Sequence, residues 1–259
     1  MGIVNVTPDS FSDGGDNMTL KKAIKSAEKM IIDGVDIIDI GGESTRPGSV
    51  AVSPEEEWSR ISEILKQLVK LEVPISIDTS KPSIMEKALD CGVDILNDIS
   101  GFQTKDSLKV VKSANHDRVG FCVMHMQGTP ETMQSCPRYV DVVAEVEHFL
   151  VEKKLQLNEL GALDEQIIID PGFGFGKTYE HNFLLLKSIE RLKKIAPLLV
   201  GVSRKRIISE MCDREDMPKD RIGGSLAVAF WSLMQGASII RVHDVKESVD
   251  VVRVLKKLN

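Results

Sequence analysis

Asp78, Asn97, Asp170 and Lys205 are polar residues that each close or follow a short apolar run. Two carboxylates, an amide and an ammonium can read the edge of a flat polar heterocycle. The carboxylates accept from ring N–H and amino groups, the amide both donates and accepts, and the lysine donates to a carbonyl. A pterin offers such an edge, and several other polar ligands would serve equally well. A second set of residues is cationic. Arg46 stands in Gly41-Gly42-Glu43-Ser44-Thr45-Arg46-Pro47-Gly48, Arg204, Lys205 and Arg206 form a run after Ser203, and Arg241 is followed by Val242 and His243. Arginine carries a rigid donor fork that suits phosphate, and the N–H groups of a helix after Lys205 can assist. The third feature is Asn5-Val6-Thr7-Pro8-Asp9-Ser10-Phe11-Ser12-Asp13-Gly14-Gly15. A solvated turn has no use for Phe11, whereas a lid closing over a flat ligand does.

Residues so far apart in sequence meet only if the elements that carry them share one end. Short apolar runs at residues 3–4, 37–40, 75–77, 95–96, 121–124, 167–169, 198–202 and 239–242 read as eight strands, nearly all entering a polar or glycine-rich cluster. Helix signals fall between them. Thr19 can cap a helix with Leu20, Ile24, Ala27 and Ile31 on one face, and Gly34 can end it. Ser53-Pro54-Glu55-Glu56 supplies an N-cap, a proline at the first helical position and a glutamate for a capping box. Trp58, Ile61, Leu65 and Leu68 then share a face. Pro82 opens a helix that runs to Cys91, and further helices are expected at 105–115, 140–158, 179–195, 222–235 and 245–258. Regular strand–helix alternation implies parallel crossovers, so the expected fold is α/β: a (β/α)8 barrel forming one domain over residues 1–259, with its chemistry at the C-terminal ends of the strands.

Composition narrows the function classes. A chain of 259 residues with 42 % hydrophobic residues matches one barrel and its core. The formal charge of −6 argues against a whole-surface nucleic-acid binder. No apolar run approaches the roughly 20 residues of a membrane span, no signal peptide is visible, and Cys91, Cys122, Cys136 and Cys212 form no Cys-x-x-Cys pair. These features suit reduced thiols and a cytoplasmic location.

Each candidate also has a structural use. A strand-end Asp or Asn often caps the next helix, and an Arg-Lys-Arg run is often a solvated face. Gly172-Phe173-Gly174-Phe175-Gly176-Lys177-Thr178 lacks the spacing of a phosphate loop. His116, His148 and His181 fit the surface, His125 can pack at its strand end, and Met124 and Phe175 fit a core. The joint case is stronger, because the polar residues recur at one end of successive strands.

Taken together, the segment from Met1 to Gly15, Gly42-Glu43-Ser44-Thr45-Arg46-Pro47-Gly48, Asp170-Pro171-Gly172, Ser203-Arg204-Lys205 and Arg241-Val242-His243-Asp244 resemble the dihydropteroate synthase family, in order and at family-like spacing. The resemblance implies condensation of 6-hydroxymethyl-7,8-dihydropterin diphosphate with 4-aminobenzoate, with Mg2+ present. It implies that Asp78, Asn97, Asp170 and Lys205 bond the pterin, that Arg241 stacks over the ring, and that Met124 and Phe175 lie near it. Asn5 would ligate Mg2+, and Asn5, Arg46, Arg241 and His243 would surround the diphosphate. Phe11, Thr45 and Pro47 would shape the aminobenzoate site, and Asp13 would face the reacting centre. The catalytic set expected on this basis is Asp13, Asp78, Lys205 and Arg241.

Two departures from the family pattern stand out. Relatives often carry Ser after Ser-Arg-Lys, where it helps hold the aminobenzoate carboxylate. Here Arg206 occupies that place and could bind the carboxylate itself. Relatives usually carry residues before strand one, often a hairpin that closes the barrel floor, whereas here the sequence starts on the strand itself. Either the start is truncated or the floor is closed some other way, since an open floor would expose apolar barrel residues and cost stability. A methyltransferase domain that binds methyltetrahydrofolate is the alternative enzyme, but it has no need of Ser44-Thr45-Arg46-Pro47 or a diphosphate clamp. A non-catalytic pterin binder is a third reading, disfavoured by complete loops. The resemblance further suggests a homodimer. Val228, Phe230, Trp231, Leu233 and Met234 could supply its apolar surface, although packing on the barrel explains most of them equally well.

Overall fold

Period-two alternation inside the apolar runs sorts their side chains between two environments. In the computed structural model, which describes residues 1–7, 16–114, 116 and 118–258, the strands are β1 (Gly2–Asn5), β2 (Ile38–Gly41), β3 (Ile75–Asp78), β4 (Ile95–Asp98), β5 (Gly120–Met124), β6 (Ile167–Asp170), β7 (Leu199–Val200) and β8 (Ile239–Ile240). Phe11 and Asp13 lie outside the described residues. Strands β1 to β6 form one sheet in sequence order, every pair parallel, and β7 pairs in parallel with β8. Parallel bridges Ile169↔Leu198 and Gly2↔Val242 join the two sheets at both edges. The sheet therefore closes on itself as an eight-stranded barrel, as the alternation implied.

Ile38, Ile40, Ile75, Ile77, Leu96, Phe121, Val123, Ile167 and Ile169 belong to the large core between barrel and helices. The intervening residues face inward. At the lower level Met1, Ile95, Cys122 and Leu199 pack together, with Ile37, Ile168 and Ile239 half-buried against them. The barrel floor is thus closed by a packed apolar layer. Moving two residues along each strand keeps the same face and converts Ile37, Ile95, Cys122, Ile168 and Ile239 into Asp39, Asn97, Met124, Asp170 and Arg241. One register step turns an apolar floor into a polar mouth.

The helices are α1 (Asp16–Asp33), α2 (Pro54–Leu68), α3 (Pro82–Cys91), α4 (Lys105–Ser113), α5 (Val142–Glu159), α6 (Tyr179–Lys187), α7 (Ile189–Leu192), α8 (Arg206–Met211), α9 (Ile222–Met234) and α10 (Val245–Leu258). Helix α1 begins before Thr19, so Thr19 is not its cap, while Gly34 at φ 97° ends it as expected. Ser53 caps α2 by accepting from the Glu56 N–H at 3.1 Å. The capping box is incomplete, because Glu56 pairs with Arg60 at 2.5 Å instead. The helix expected at 179–195 breaks at Ser188 into α6 and α7.

Candidate active site

The barrel mouth is built around a buried guanidinium. Arg241 follows β8, and its Nε donates to Asp39 Oδ2 at 2.6 Å while Nη2 donates to Asp78 Oδ2 at 2.6 Å. Nη2 also lies 2.6 Å from Asp39 Oδ2. Asn97 Nδ2 donates to both oxygens of Asp39 at 3.3 and 3.4 Å. Asp39 is 0 % exposed, which makes it a charge inside an otherwise apolar interior that must be paired to persist. Burial opposes the charge of Arg241, but Asp39 and Asp78 outweigh it and hold its pKa above the ordinary arginine range. Burial raises Asp78 to about 7 against the opposing pull of Arg241. Oδ1 of Asp78 is buried without a hydrogen-bond partner among the described residues, an acceptor available to a ligand.

The other half of the mouth joins β6 and β7. Asp170 Oδ1 accepts from the Gly172 N–H at 2.7 Å, and burial raises the Asp170 pKa although Lys205 opposes it. Lys205 Nζ donates to the Phe173 carbonyl at 2.6 Å and lies 4.6 Å from the centre of the Phe175 ring. Burial lowers Lys205 to about 8, with Asp170 acting against that shift. Lys205 interacts electrostatically with Asp170, Asp78 and Arg241, so all four groups share one site. Met124 and Phe175 pack with Ile99 and Met133 into an apolar cluster beside them. A polar edge set against an apolar wall is what a planar heterocycle needs.

The turn carrying Phe173 and Phe175 is held from below. Gly172 has φ +69°, and a Cβ there would stand 1.9 Å from the His125 carbonyl oxygen. Lys177, fully buried, contacts His125 Nδ1 at 2.9 Å and donates to the His125 and Phe175 carbonyls at 3.2 and 3.0 Å. Burial lowers Lys177 to about 7 and His125 to about 3. His125 is therefore neutral and accepts from the lysine. The glycine-rich segment is a packed turn whose lysine anchors it.

The cations after β7 separate rather than gather into one clamp. Arg204 has φ +59°, a conformation costly for an arginine, and its neighbours impose it. Its N–H donates to Ser225 Oγ at 3.0 Å, its side chain pairs with Asp244, and Arg221 donates to its carbonyl at 3.0 Å. The turn directs Lys205 into the mouth. Arg206 opens α8 with its side chain 87 % exposed and pairs with Glu210 at 2.9 Å, so the structure does not bring it to the pterin-side residues. His243 is half-buried, with Nδ1 3.1 Å from Ser203 Oγ, and burial together with Arg204 and Arg241 lowers it to about 4. It meets a ligand as a neutral imidazole. Asn5 is half-buried at the end of β1.

The loop after β2 holds Thr45 half-buried and Arg46 and Pro47 exposed. Its base is braced. Lys81 Nζ lies 2.7 Å from Glu43 Oε2 and 2.6 Å from Glu57 Oε2, and the Val52 N–H donates to Glu43 Oε1 at 2.8 Å. Gly48 N–H donates to the Pro130 carbonyl at 3.0 Å, tying the loop to the segment after β5.

Sequence reasoning passed over Asp39, Lys177 and the Glu43–Lys81–Glu57 brace. Asp39 had a visible signal, a charge inside Ile37-Ile38-Asp39-Ile40 on the same strand face as the mouth residues.

A family profile described as pterin binding enzyme matches residues 1–243. The dihydropteroate synthase of Escherichia coli (strain K12) is 46 % identical over 258 residues, which cover 99 % of this chain and 90 % of that one. The structure of Xanthomonas albilineans dihydropteroate synthase with 4-aminobenzoic acid superposes with a TM-score of 0.91 at 42 % identity, covering 100 % of this chain and 92 % of that one. The same enzyme in complex with 7,8-dihydropteroate superposes at 0.88 and 40 % identity, covering 100 % and 92 %. A barrel that sets a buried polar edge beside an apolar wall, matched over nearly its whole length by such relatives, belongs to the pterin-binding enzyme family and, within it, to the dihydropteroate synthases.

Proposed function

We propose that the protein joins 6-hydroxymethyl-7,8-dihydropterin diphosphate to 4-aminobenzoate, forming 7,8-dihydropteroate and releasing diphosphate. One observation carries the reading: Asp78, Asn97, Asp170 and Lys205 converge at the mouth beside Met124 and Phe175. Relatives of this chain hold 4-aminobenzoic acid, the second substrate, and 7,8-dihydropteroate, the product.

Asp78 and Asp170 accept from the pterin's amino and ring N–H groups, Asn97 bonds the same edge, and Lys205 donates to the carbonyl. Binding supplies the hydrogen-bond donor that Asp78 Oδ1 otherwise lacks among the described residues. Departure of diphosphate leaves a methylene cation spread over the dihydropterin ring, and the carboxylates favour that charge. An arylamine is neutral at pH 7 and attacks without a general base. The path is therefore SN1-like, and the loop at residues 42–48 must exclude water that would otherwise capture the cation. Thr45 and Pro47 lie on this loop. Arg46 and His243 face the diphosphate, His243 as a neutral hydrogen-bonding group. Phe11 and Asp13 lie outside the described residues. Arg206 reaches the aminobenzoate carboxylate only by leaving Glu210.

The amide oxygen of Asn5 is a hard donor at a strand end, which fits Mg2+, an ion that keeps several waters and takes its remaining ligands from substrate phosphates. When bound, Mg2+ neutralises charge on the leaving diphosphate.

We also infer a homodimer through α9 and α10, which pack together and expose Trp231, Met234, Val254 and Leu258. Val228 and Leu233 turn to the core instead. No helix among the described residues is long and apolar enough to cross a membrane. The unpaired cysteines support a cytoplasmic setting.

Formation of 7,8-dihydropteroate should require both substrates. Methyl transfer from methyltetrahydrofolate, or binding of pterin diphosphate with no dihydropteroate formed, would favour the alternative readings. A large secondary isotope effect at the pterin methylene supports the dissociative path, and an effect near unity contradicts it.

A further inference from the structure

We propose that Asp39 is a positioning residue for the pterin site, holding the Arg241 guanidinium and the Asn97 amide so that Asp78 keeps one oxygen open to the ligand. This inference rests on reading Asp78 and Asn97 as pterin contacts, and it assigns a task to a carboxylate that touches no part of the pterin edge itself. Three observations carry it. Asp39 is wholly buried, and its oxygens are spent on protein donors: Nε and Nη2 of Arg241 at 2.6 Å, and Asn97 Nδ2 at 3.3 and 3.4 Å. Arg241 reaches Asp78 through Nη2 alone, at 2.6 Å on Oδ2. Asp78 Oδ1 has no partner among the described residues.

The division follows from donor geometry. A guanidinium facing one carboxylate prefers the bidentate arrangement, which occupies both oxygens. Asp39 draws Nε away, leaving Asp78 a single-point contact. The same carboxylate takes the Asn97 N–H, which leaves the Asn97 carbonyl for a ligand donor. Without the charge on Asp39, Arg241 turns its fork onto Asp78, and the pterin must displace it.

Charge adds a second consequence. Asp78 is faced by Arg241 after β8, Lys205 after β7, Asp39 on β2, Glu57 on α2 and Asp98 on β4. Burial and these like charges raise it, while Arg241 lowers it. Loss of one like charge moves its titration to lower pH.

The test is Asp39→Asn, which keeps the size of the side chain and a carbonyl acceptor for Asn97. Calorimetric binding of 6-hydroxymethyl-7,8-dihydropterin diphosphate is measured from pH 5 to 9 alongside thermal unfolding. The expected result is a Kd at pH 8 raised by about tenfold or more, the scale of one charge-assisted hydrogen bond, with the acid-side loss of binding shifted to lower pH. A Kd within about twofold of the parent's, or weaker binding with an unmoved acid limb, overturns the proposal. If D39N does not fold, Asp39→Glu carries the test. It keeps the charge but displaces it, so Kd should rise while the acid limb stays in place, and a parental Kd overturns the proposal. A parent protein that binds pterin diphosphate but makes no dihydropteroate would instead defeat the functional reading.

Discussion

Asp78 and Lys205 are shifted toward each other, to about 7 and about 8, because burial disfavours charge on both. Asp78 accepts two donors only as a carboxylate, a form gained as pH rises through about 7. Lys205 donates as an ammonium, a form lost as pH rises through about 8. Pterin diphosphate affinity should therefore peak between these values and fall on both sides, measurable by calorimetry across pH. Lys205→Met should abolish the alkaline limb and weaken binding by about 1.5–3 kcal/mol, roughly 10- to 150-fold. An intact alkaline limb in that variant would remove Lys205 from the pterin edge. Asp78, Asn97, Asp170 and Arg241 were legible because each ends or follows a strand-like run, and strand direction alone gathers them. Lys177 was not, since a glycine-rich segment without phosphate-loop spacing gives its lysine no task until the fold buries it against His125. The inward turn of Lys205 and outward turn of Arg206 depend on the positive φ of Arg204, which three tertiary contacts impose.

At the scale of elements, two connections hold the site. The turn after β6 passes so close to the His125 carbonyl that Gly172→Ala must move backbone. We expect a loss of about 1–3 kcal/mol in chemical denaturation, with Phe175 displaced and pterin binding weakened. Unchanged stability would show that the turn is not pinned there. The loop after β2 rests on Lys81 between Glu43 and Glu57, the latter 0 % exposed. Lys81→Met leaves a buried carboxylate without its cation and should cost about 3 kcal/mol. It should raise the KM for aminobenzoate more than the Kd for pterin diphosphate, because the second substrate depends on this loop; equal changes in both would contradict that division. Local signals located α2, α3 and α10 well, since proline, N-caps and amphipathic spacing are near-neighbour effects. The break at Ser188 and the short α8 were not legible. At the break, Ser188 Oγ donates to the Leu184 carbonyl at 2.9 Å where α6 ends.

At the scale of the whole molecule, the barrel was readable because eight runs alternate with helices, and closure needed only the bridges from β6 to β7 and from β8 to β1. The packed floor was not readable, because it depends on Met1 reaching Ile95, Cys122 and Leu199. If α9 and α10 form the dimer face, Trp231→Glu should convert the protein to a monomer in sedimentation equilibrium, and an unchanged mass would place the contact elsewhere. The most direct test of the central claim is chromatographic identification of product from the purified protein with pterin diphosphate, 4-aminobenzoate and Mg2+. Formation of 7,8-dihydropteroate in equal amount to released diphosphate, dependent on both substrates, is the predicted result. Diphosphate release without dihydropteroate, or no reaction despite pterin diphosphate binding, would contradict it.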